Sequence, residues 1–310
     1  GQRAGCGNSK FVFIDFNGEY TAKTVLCHDK VVYVPNTRTG AGGKIPVPPD
    51  FFFDVDMWTM LAKATEKTQR PFLKRCIRKA GAILEMSDPG AYLRGMVRKL
   101  LEGYCGCGPA FDEQREDLTR LFSLVPGVDV SSLERALDSV EVFQKYNNAL
   151  HKRDSGELLY STADVPEVFS DLRYESMDYS SLASDGPILL EFIARYRFIE
   201  AVRSHTITRE HIAPLIQRYS AELGESSKLY EPCASGFKSD VSVISLLNVN
   251  LEQKKVVPLV VAKTLYQFQK GRGQNERGSS THLVVDEAHN ILSYSSQRES
   301  ENWRDYRLET

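Results

Sequence analysis

Two adjacent carboxylates, Asp286 and Glu287, are the residues of this chain best suited to nucleotide chemistry. They stand in Thr281–Asn290, THLVVDEAHN, where four mostly β-branched or apolar residues predict a buried parallel strand. The acidic end of such a strand is expected where open α/β sheets bind ligands. In phosphoryl transfer one carboxylate of such a pair holds Mg²⁺ and the other orients a water molecule. The alternative is an ordinary strand that ends in a helix cap.

A second predicted strand also carries acidic residues near its end. Lys10–Phe16, KFVFIDF, is nearly continuously apolar, and the segment Asn17-Gly18-Glu19-Tyr20 follows it. Gly18 permits a tight turn at this point. Asp15 and Glu19 are therefore either further residues of the same site or turn residues, because Asp and Asn at strand ends hydrogen-bond to nearby backbone.

The elements that must position these residues alternate between strands and helices. Lys30–Val34 and Asp240–Leu246 predict two more strands, and Leu251–Lys270 predicts an amphipathic helix in which Pro258 requires a local kink. The order of strand, long helical block, strand, helix and strand predicts an α/β fold with a mostly parallel sheet, interrupted by a large all-α insertion. The predicted parts are residues 1–48 and 236–310 for the core and 49–235 for the inserted domain.

Start signals place several helices inside the insertion. Asp54 is a candidate helix cap, and Ser87-Asp88-Pro89 predicts a helix that runs to Leu101. Ser131–Glu134 has the pattern of a capping box for a helix that extends to about Leu150. Two more helices are predicted by apolar spacing, at Ile188–Ser204 and Thr208–Leu223. The glycine-rich loop 35–49 and the segments 153–171 and 230–238 are predicted to be irregular.

The charge of the chain restricts any nucleic-acid surface to a local patch. The net charge is -2 and the pI is about 6.4, unlike a generally basic nucleic-acid coat. Lys67, Lys74 and Arg78 are predicted to share one helical face at spacings of seven and four, in a region with few acidic residues. Such a face could contact DNA phosphates, but solvated helix faces have the same pattern.

Targeting and metal-binding patterns are weak. The sequence has no apolar run near the roughly 18 to 20 residues of a membrane span and no N-terminal signal peptide, so we expect a cytoplasmic protein without membrane contact. The six cysteines include one close pair, Cys105 and Cys107, which lacks the second ligand pair of a zinc site. Free intracellular thiols are therefore expected.

Five segments together resemble one family of nucleotide hydrolases. They are FVFIDFNGEY at 11–20, EKTQRPFL at 66–73, VSVISLLNVNLEQKKVVPLVV at 241–261, HLVVDEAHN at 282–290 and ENWRDYRLET at 301–310. In combination they resemble the HerA-type ATPases, a branch of the HerA/FtsK superfamily. The pairing of IDFNGEY with VVDEAHN is the most specific part of the resemblance.

The resemblance implies a RecA-like P-loop NTPase core with a helical domain inserted after the NGEY strand. It further implies a hexameric ring around double-stranded DNA, Mg²⁺-dependent ATP hydrolysis that drives translocation, and a nuclease or other effector partner. The biological role would be DNA repair, end processing or antiphage defence.

The resemblance also assigns roles to the acidic residues. Asp286 would hold Mg²⁺ through water as the Walker B aspartate, and Glu287 would polarise the attacking water. Glu19 would join this catalytic set. The remaining expected members of the nucleotide pocket are Asp15, Asn17, Gly18, His289 and Asn290. The last two would relay the state of the γ-phosphate or serve as a structural cap.

The chain departs from the family in one important respect. It contains no G-x-x-x-x-G-K-[ST] loop, which in the family lies just upstream of the first strand seen here. We therefore expect an internal segment of a longer protein that neither binds ATP tightly nor hydrolyses it alone. The competing interpretations are a noncatalytic assembly module derived from a P-loop ATPase, a DEAH-box helicase segment, and a metal-dependent nuclease that uses Asp15, Glu19, Asp286 and Glu287.

Overall fold

A computed structural model describes residues 9–103, 111–143, 149–159, 168–271 and 280–288. The chain divides into two compact units. Residues up to Ala64 and from Arg218 onward form the first, here called the sheet unit. Thr65–Gln217 form the second, here called the helical unit.

Near both ends of the chain, strands and helices follow one another as the sequence pattern predicts. In the middle of the chain, the observed elements differ from the prediction. The described strands are β1 Lys10–Asp15, β2 Val31–Tyr33, β3 Ile45–Val47, β4 Val140–Phe143, β5 Ala149–Lys152, β6 Leu158–Leu159, β7 Tyr230–Pro232, β8 Val241–Ser245 and β9 Thr281–Val285. The described helices are α1 Val55–Leu61, α2 Gln69–Leu84, α3 Pro89–Glu102, α4 Phe111–Phe122, α5 Val130–Asp138, α6 Tyr179–Ser184, α7 Gly186–Arg203, α8 Arg209–Leu229 and α9 Leu251–Gly271.

The main sheet of the sheet unit has the strand order β2-β8-β1-β9 within the described residues. All three neighbouring pairs are parallel, which confirms the predicted parallel sheet. β1 lies between β8 and β9, and its side chains Val12 and Ile14 are buried. The nearly continuous apolar sequence of β1 follows from this central position, because a central strand of a parallel sheet is covered on both faces.

The DEAH-bearing strand β9 is parallel, as predicted, but it is not a buried strand. Among the described strands it pairs with β1 alone, at one edge of the sheet. Its residues alternate between half-buried and exposed, and Val284 is 41% exposed. The prediction of a parallel strand from the run of apolar residues is therefore confirmed. The prediction that this strand is buried is wrong.

The sheet unit extends further into the sequence than the predicted domain boundaries. A second, two-stranded parallel sheet joins β3 to β7, where the sequence predicted loops at 35–49 and 230–238. An aromatic cluster lies beside it: the ring centroids of Trp58 and Tyr219 are 5.0 Å apart, and Phe51 contacts both Trp58 and Tyr230. Residues 49–64 and 218–235 are in the sheet unit because these large rings pack together there.

The helical unit contains the predicted helices but is not all-α. Asp88 accepts the predicted N-cap hydrogen bond from Ala91, and Asp54, which lies in the sheet unit, accepts the one predicted for it from Met57. The strands β4, β5 and β6 form an antiparallel sheet, which corrects the all-α prediction. Helix α5 is capped by Asp129 rather than by a capping box at Ser131–Glu134, and it ends at Asp138. The β-branched alternation that follows favours a strand over a continued helix.

Helix length and hydropathy bear on membrane contact. Among the described residues, no helix combines the length and the apolar composition that a membrane crossing requires.

Pro258 is accommodated inside α9, which continues from Leu251 to Gly271.

Candidate active site at the carboxyl edge of the sheet

The two acidic segments that the sequence singled out meet at one edge of the sheet. β1 and β9 run parallel, with Ile14 opposite Val285. The backbone N–H of Asp286 donates to the carbonyl oxygen of Ile14 at 3.0 Å, which continues the strand ladder beyond Val285. Asp15 and Asp286 therefore stand side by side at the carboxyl ends of neighbouring strands, which is the usual ligand edge of such sheets.

Asp15 closes the loop that follows β1. Its side chain is fully buried, and Oδ1 accepts the backbone N–H groups of Gly18 at 2.7 Å and Glu19 at 3.1 Å. Oδ2 accepts the N–H of Tyr20 at 2.9 Å. The turn chemistry considered for Asp15 is thus confirmed, and its carboxylate positions the loop that carries Glu19.

Gly18 is required by the shape of this loop. Its φ of +83° lies in the left-handed region, which side chains with a Cβ adopt at a cost. A Cβ at this position would make only ordinary contacts, 3.4 Å from the side chain of Leu247 and 3.8 Å from Ser245 Oγ, so the backbone angle rather than crowding favours glycine here. The sequence prediction of a tight turn at Gly18 is confirmed.

Two lysines hold the backbone around the loop, and sequence reasoning missed both. Lys30 Nζ donates to the carbonyl oxygens of Tyr20 and Ala22 at 2.5 Å each and to that of Val25 at 2.7 Å. Lys254 Nζ, from α9, donates to the carbonyl oxygen of Phe16 at 3.3 Å. No motif surrounds either lysine, so only the folded chain identifies them as partners of the loop.

Asp286 and Glu287 form a tight turn directly after β9. Asp286 is half-buried, and its Oδ1 accepts the N–H of Glu287 at 3.0 Å. Glu287 is exposed and has a φ of +53°. A left-handed backbone costs a residue with a side chain roughly 1–2 kcal/mol, and such strain is concentrated at functional sites.

Tyr20 brings a phenol into this acidic edge, which the sequence did not indicate. The pKa of Tyr20 is raised above its ordinary value of 10.0 by the negative charge of Asp286, then by burial, then by Glu19 and Asp15. Three carboxylates from two strand ends therefore act on one hydroxyl group. Its ring lies 6.0 Å, centroid to centroid, from that of Phe13 on β1.

Ser245 places a buried hydroxyl beneath the same loop. It lies opposite Asp15 in the parallel register and is 1% exposed. Its Oγ finds no hydrogen-bond partner among the described residues. The sequence did not indicate a role for Ser245, because a serine at the end of an apolar strand is common in ordinary strands.

The carboxylates of this edge suit a metal ion carried by a substrate better than a preformed metal centre. Among the described residues no group of three or more His, Cys, Asp or Glu side chains is arranged to hold a metal ion. Mg²⁺ in phosphate chemistry needs one or two protein carboxylates, because water and phosphate oxygens complete its ligands. Asp286, at the sheet edge and half-buried, fits that role, whereas both oxygens of Asp15 already accept backbone N–H groups.

Of the residues predicted to contact DNA, two share a helical face and one does not. Lys74 and Arg78 lie four residues apart on α2, and both are exposed. Lys67 lies in the turn before α2, because the helix begins at Gln69. The predicted shared face is therefore correct for Lys74 and Arg78 and wrong for Lys67.

Some of the remaining predicted positions are described by the structure and others are not. Asn17 and Glu19 are exposed on the loop that Asp15 closes. His289, Asn290, Cys105, Cys107 and the segment 301–310 lie outside the described residues.

Comparison of the chain with protein-family models, with curated proteins and with solved structures finds no match.

Replacing Asp15 by Asn is expected to destabilise the sheet unit by about 3 kcal/mol, because a charged acceptor is lost and one amide N–H group then faces a backbone donor in a buried site. Urea unfolding followed by circular dichroism measures this change. Glu19→Gln is the matched control on the same loop, and because Glu19 is exposed its effect should stay within about 0.5 kcal/mol. Equal stability of the two variants would contradict the assigned role of Asp15.

The pKa of Tyr20 should fall toward its ordinary value in Asp286→Asn, because removing a negative charge favours the phenolate. Glu19→Gln should lower the pKa by a smaller amount. An NMR titration of the Tyr20 ring carbons measures both changes. Asp240→Asn, at the exposed amino end of β8, is the control and should leave the titration unchanged. An unaltered Tyr20 titration in Asp286→Asn would show that the two groups do not interact.

Proposed function

We propose that this chain is part of a DNA-translocating ATPase of the HerA type, which couples Mg²⁺-dependent ATP hydrolysis to movement on double-stranded DNA. The observation that carries the proposal is the meeting of two acidic strand ends at the carboxyl edge of a parallel sheet, with Glu287 in a left-handed turn. The resemblance of the IDFNGEY and VVDEAHN segments to that family supports the same assignment. The core would be a RecA-like P-loop fold.

The side chains at this edge divide the chemistry among them. Asp286 would hold the Mg²⁺ ion of the bound nucleotide through water, and the ion would neutralise charge on the phosphates. Glu287 is exposed and would orient the attacking water and accept its proton. Glu19 would act beside it from the loop that Asp15 closes, while the Tyr20 hydroxyl would donate a hydrogen bond to a phosphate oxygen. The backbone N–H of Glu287 donates to Asp286 Oδ1, so the turn and the proposed metal-binding carboxylate are directly connected.

The helical unit would contribute the contact with DNA. Lys74 and Arg78 are exposed on one face of α2, and neither has a carboxylate partner among the described residues. Cations in this arrangement can neutralise phosphates of the DNA backbone without reading its sequence. Assembly into a hexameric ring and association with a nuclease or other effector belong to the proposal through the family resemblance.

One feature favours a second candidate, a noncatalytic assembly module derived from the same fold. The carboxylate of Asp15 is fully used in closing its own loop, so one predicted pocket residue has a structural role. The same hydrogen bonds argue against a metal-dependent nuclease that would use Asp15 as a ligand. The translocase and the assembly module differ in whether the full-length protein turns over ATP with the help of Glu287.

In the full-length protein, Glu287→Gln should lower the rate of Mg²⁺-dependent ATP turnover by about 10²–10⁴-fold, because the water loses its base. Binding of a fluorescent ATP analogue should remain, since the amide keeps the shape of the side chain. Glu252→Gln, an exposed position at the start of α9, is the matched control and should retain full turnover. Absence of turnover from the unaltered full-length protein would favour the assembly module, whereas full turnover by Glu287→Gln would contradict the role proposed for Glu287.

The DNA arm of the same assay uses the double variant Lys74→Glu with Arg78→Glu. Its basal turnover should be unchanged, while the stimulation by double-stranded DNA and the salt dependence of DNA binding should both decrease. Unchanged DNA affinity and salt slope would remove this surface from the proposal.

A further inference from the structure

A cavity of about 310 Å³ lies between α2 and α7 of the helical unit. Phe72 and Cys76, both buried, and the half-buried Ile207 give it an apolar lining. Two arginines also line it: Arg75 is exposed, and Arg197 is half-buried. The cavity therefore combines an apolar wall with two guanidinium groups.

The two guanidinium groups both affect the thiol of Cys76, which lines the same cavity. Each of them lowers the pKa of the Cys76 thiol, with Arg197 the stronger of the two, although burial dominates and raises that pKa to about 12. Both arginines line the same cavity as this buried thiol. Cys76 itself is a neutral wall residue, since a fully buried thiol with such a pKa is not reactive at neutral pH.

These two arginines lack the carboxylate partners that other arginines of the unit have. Arg195 pairs with Glu191 at 2.8 Å, and Arg209 pairs with Asp117 at 2.5 Å. Within the described part of the chain neither Arg75 nor Arg197 forms an ion pair, and the described residues that line the cavity include no carboxylate. Two like charges beside an apolar wall repel each other, so an anion bound between them would be stabilised.

The geometry of arginine narrows the class of anion. A planar guanidinium group donates two parallel hydrogen bonds, which match the oxygens of a phosphate group. The apolar wall adds room for an attached ring against Phe72 and Ile207. We propose that this cavity binds a phosphate ester of the nucleoside monophosphate class, with the phosphate between Arg75 and Arg197. The site uses none of the acidic residues of the sheet unit and does not depend on the proposed ATPase activity.

The test is calorimetry, together with phosphorus NMR, of AMP binding to the full chain. AMP should bind at one site, and adenosine or inorganic phosphate alone should bind at least about tenfold more weakly, because each lacks half of the contacts. Arg75→Gln and Arg197→Gln should each weaken AMP binding by about tenfold or more. The corresponding lysine variants should also weaken it, since lysine lacks the planar pair of donors.

Three controls keep this result specific. Arg94→Gln makes the same charge change at an exposed arginine of α3 that has no carboxylate partner in the described residues, and it should bind AMP normally. Asp286→Asn should also bind AMP normally, which separates this cavity from the acidic edge. Thr206→Glu adds a carboxylate to the cavity lining without removing either arginine and should abolish binding.

Several outcomes would overturn the assignment. They are the absence of saturable AMP binding, equal loss of binding in Arg94→Gln, and loss of binding in Asp286→Asn. A short single strand of DNA carries the same phosphate ester chemistry from a second source. Competition between that strand and AMP would place both in this cavity, whereas DNA binding that AMP does not displace and that survives Arg197→Gln would place the strand elsewhere.

Discussion

The buried carboxylate of Asp15 is the interaction on which the candidate site depends. It accepts three consecutive backbone N–H groups, from Gly18, Glu19 and Tyr20, and so fixes the loop that follows the central strand β1. Because β1 is central, the chain segments that follow β8 and β9 both hydrogen-bond to its carboxyl end. The carbonyl oxygen of Asp15 accepts the N–H of Leu246, and that of Ile14 accepts the N–H of Asp286. A buried charge is tolerated here because every hydrogen bond serves the charged form.

The acidic edge combines carboxylates from segments that are distant in the sequence. A parallel sheet brings the carboxyl ends of β1 and β9 together even though a whole helical unit separates them in sequence. The result is a set of carboxylates with different environments: Asp15 is buried and engaged, Asp286 is half-buried, and Glu287 is exposed on a strained turn. Such a division suits a reaction that needs one group to hold a metal ion and another to orient water.

Sequence patterns predicted the parts of this molecule that local rules govern. The apolar runs of β1 and β9, the turn at Gly18 and the caps at Asp54 and Asp88 all follow from propensities that act over a few residues. The rest depends on contacts between distant segments. The exposure of β9 depends on which strands flank it, and the position of Lys254 beneath Phe16 depends on the packing of α9. The strand β4, in contrast, has a local signal in the alternation of Val140–Phe143, which the prediction of a continued helix overlooked. The two arginines beside Cys76 come from separate helices, so no local motif could reveal them.

We propose that Asp286 holds the metal ion of a bound nucleotide at this edge. Electron paramagnetic resonance of Mn²⁺, which substitutes for Mg²⁺, tests it directly in the full-length protein with a nonhydrolysable ATP analogue. We expect one tightly bound Mn²⁺ per chain in the unaltered protein, retention of that ion in Glu287→Gln and its loss in Asp286→Asn. Binding that is unchanged in Asp286→Asn, or that is absent from the unaltered protein, would contradict the claim.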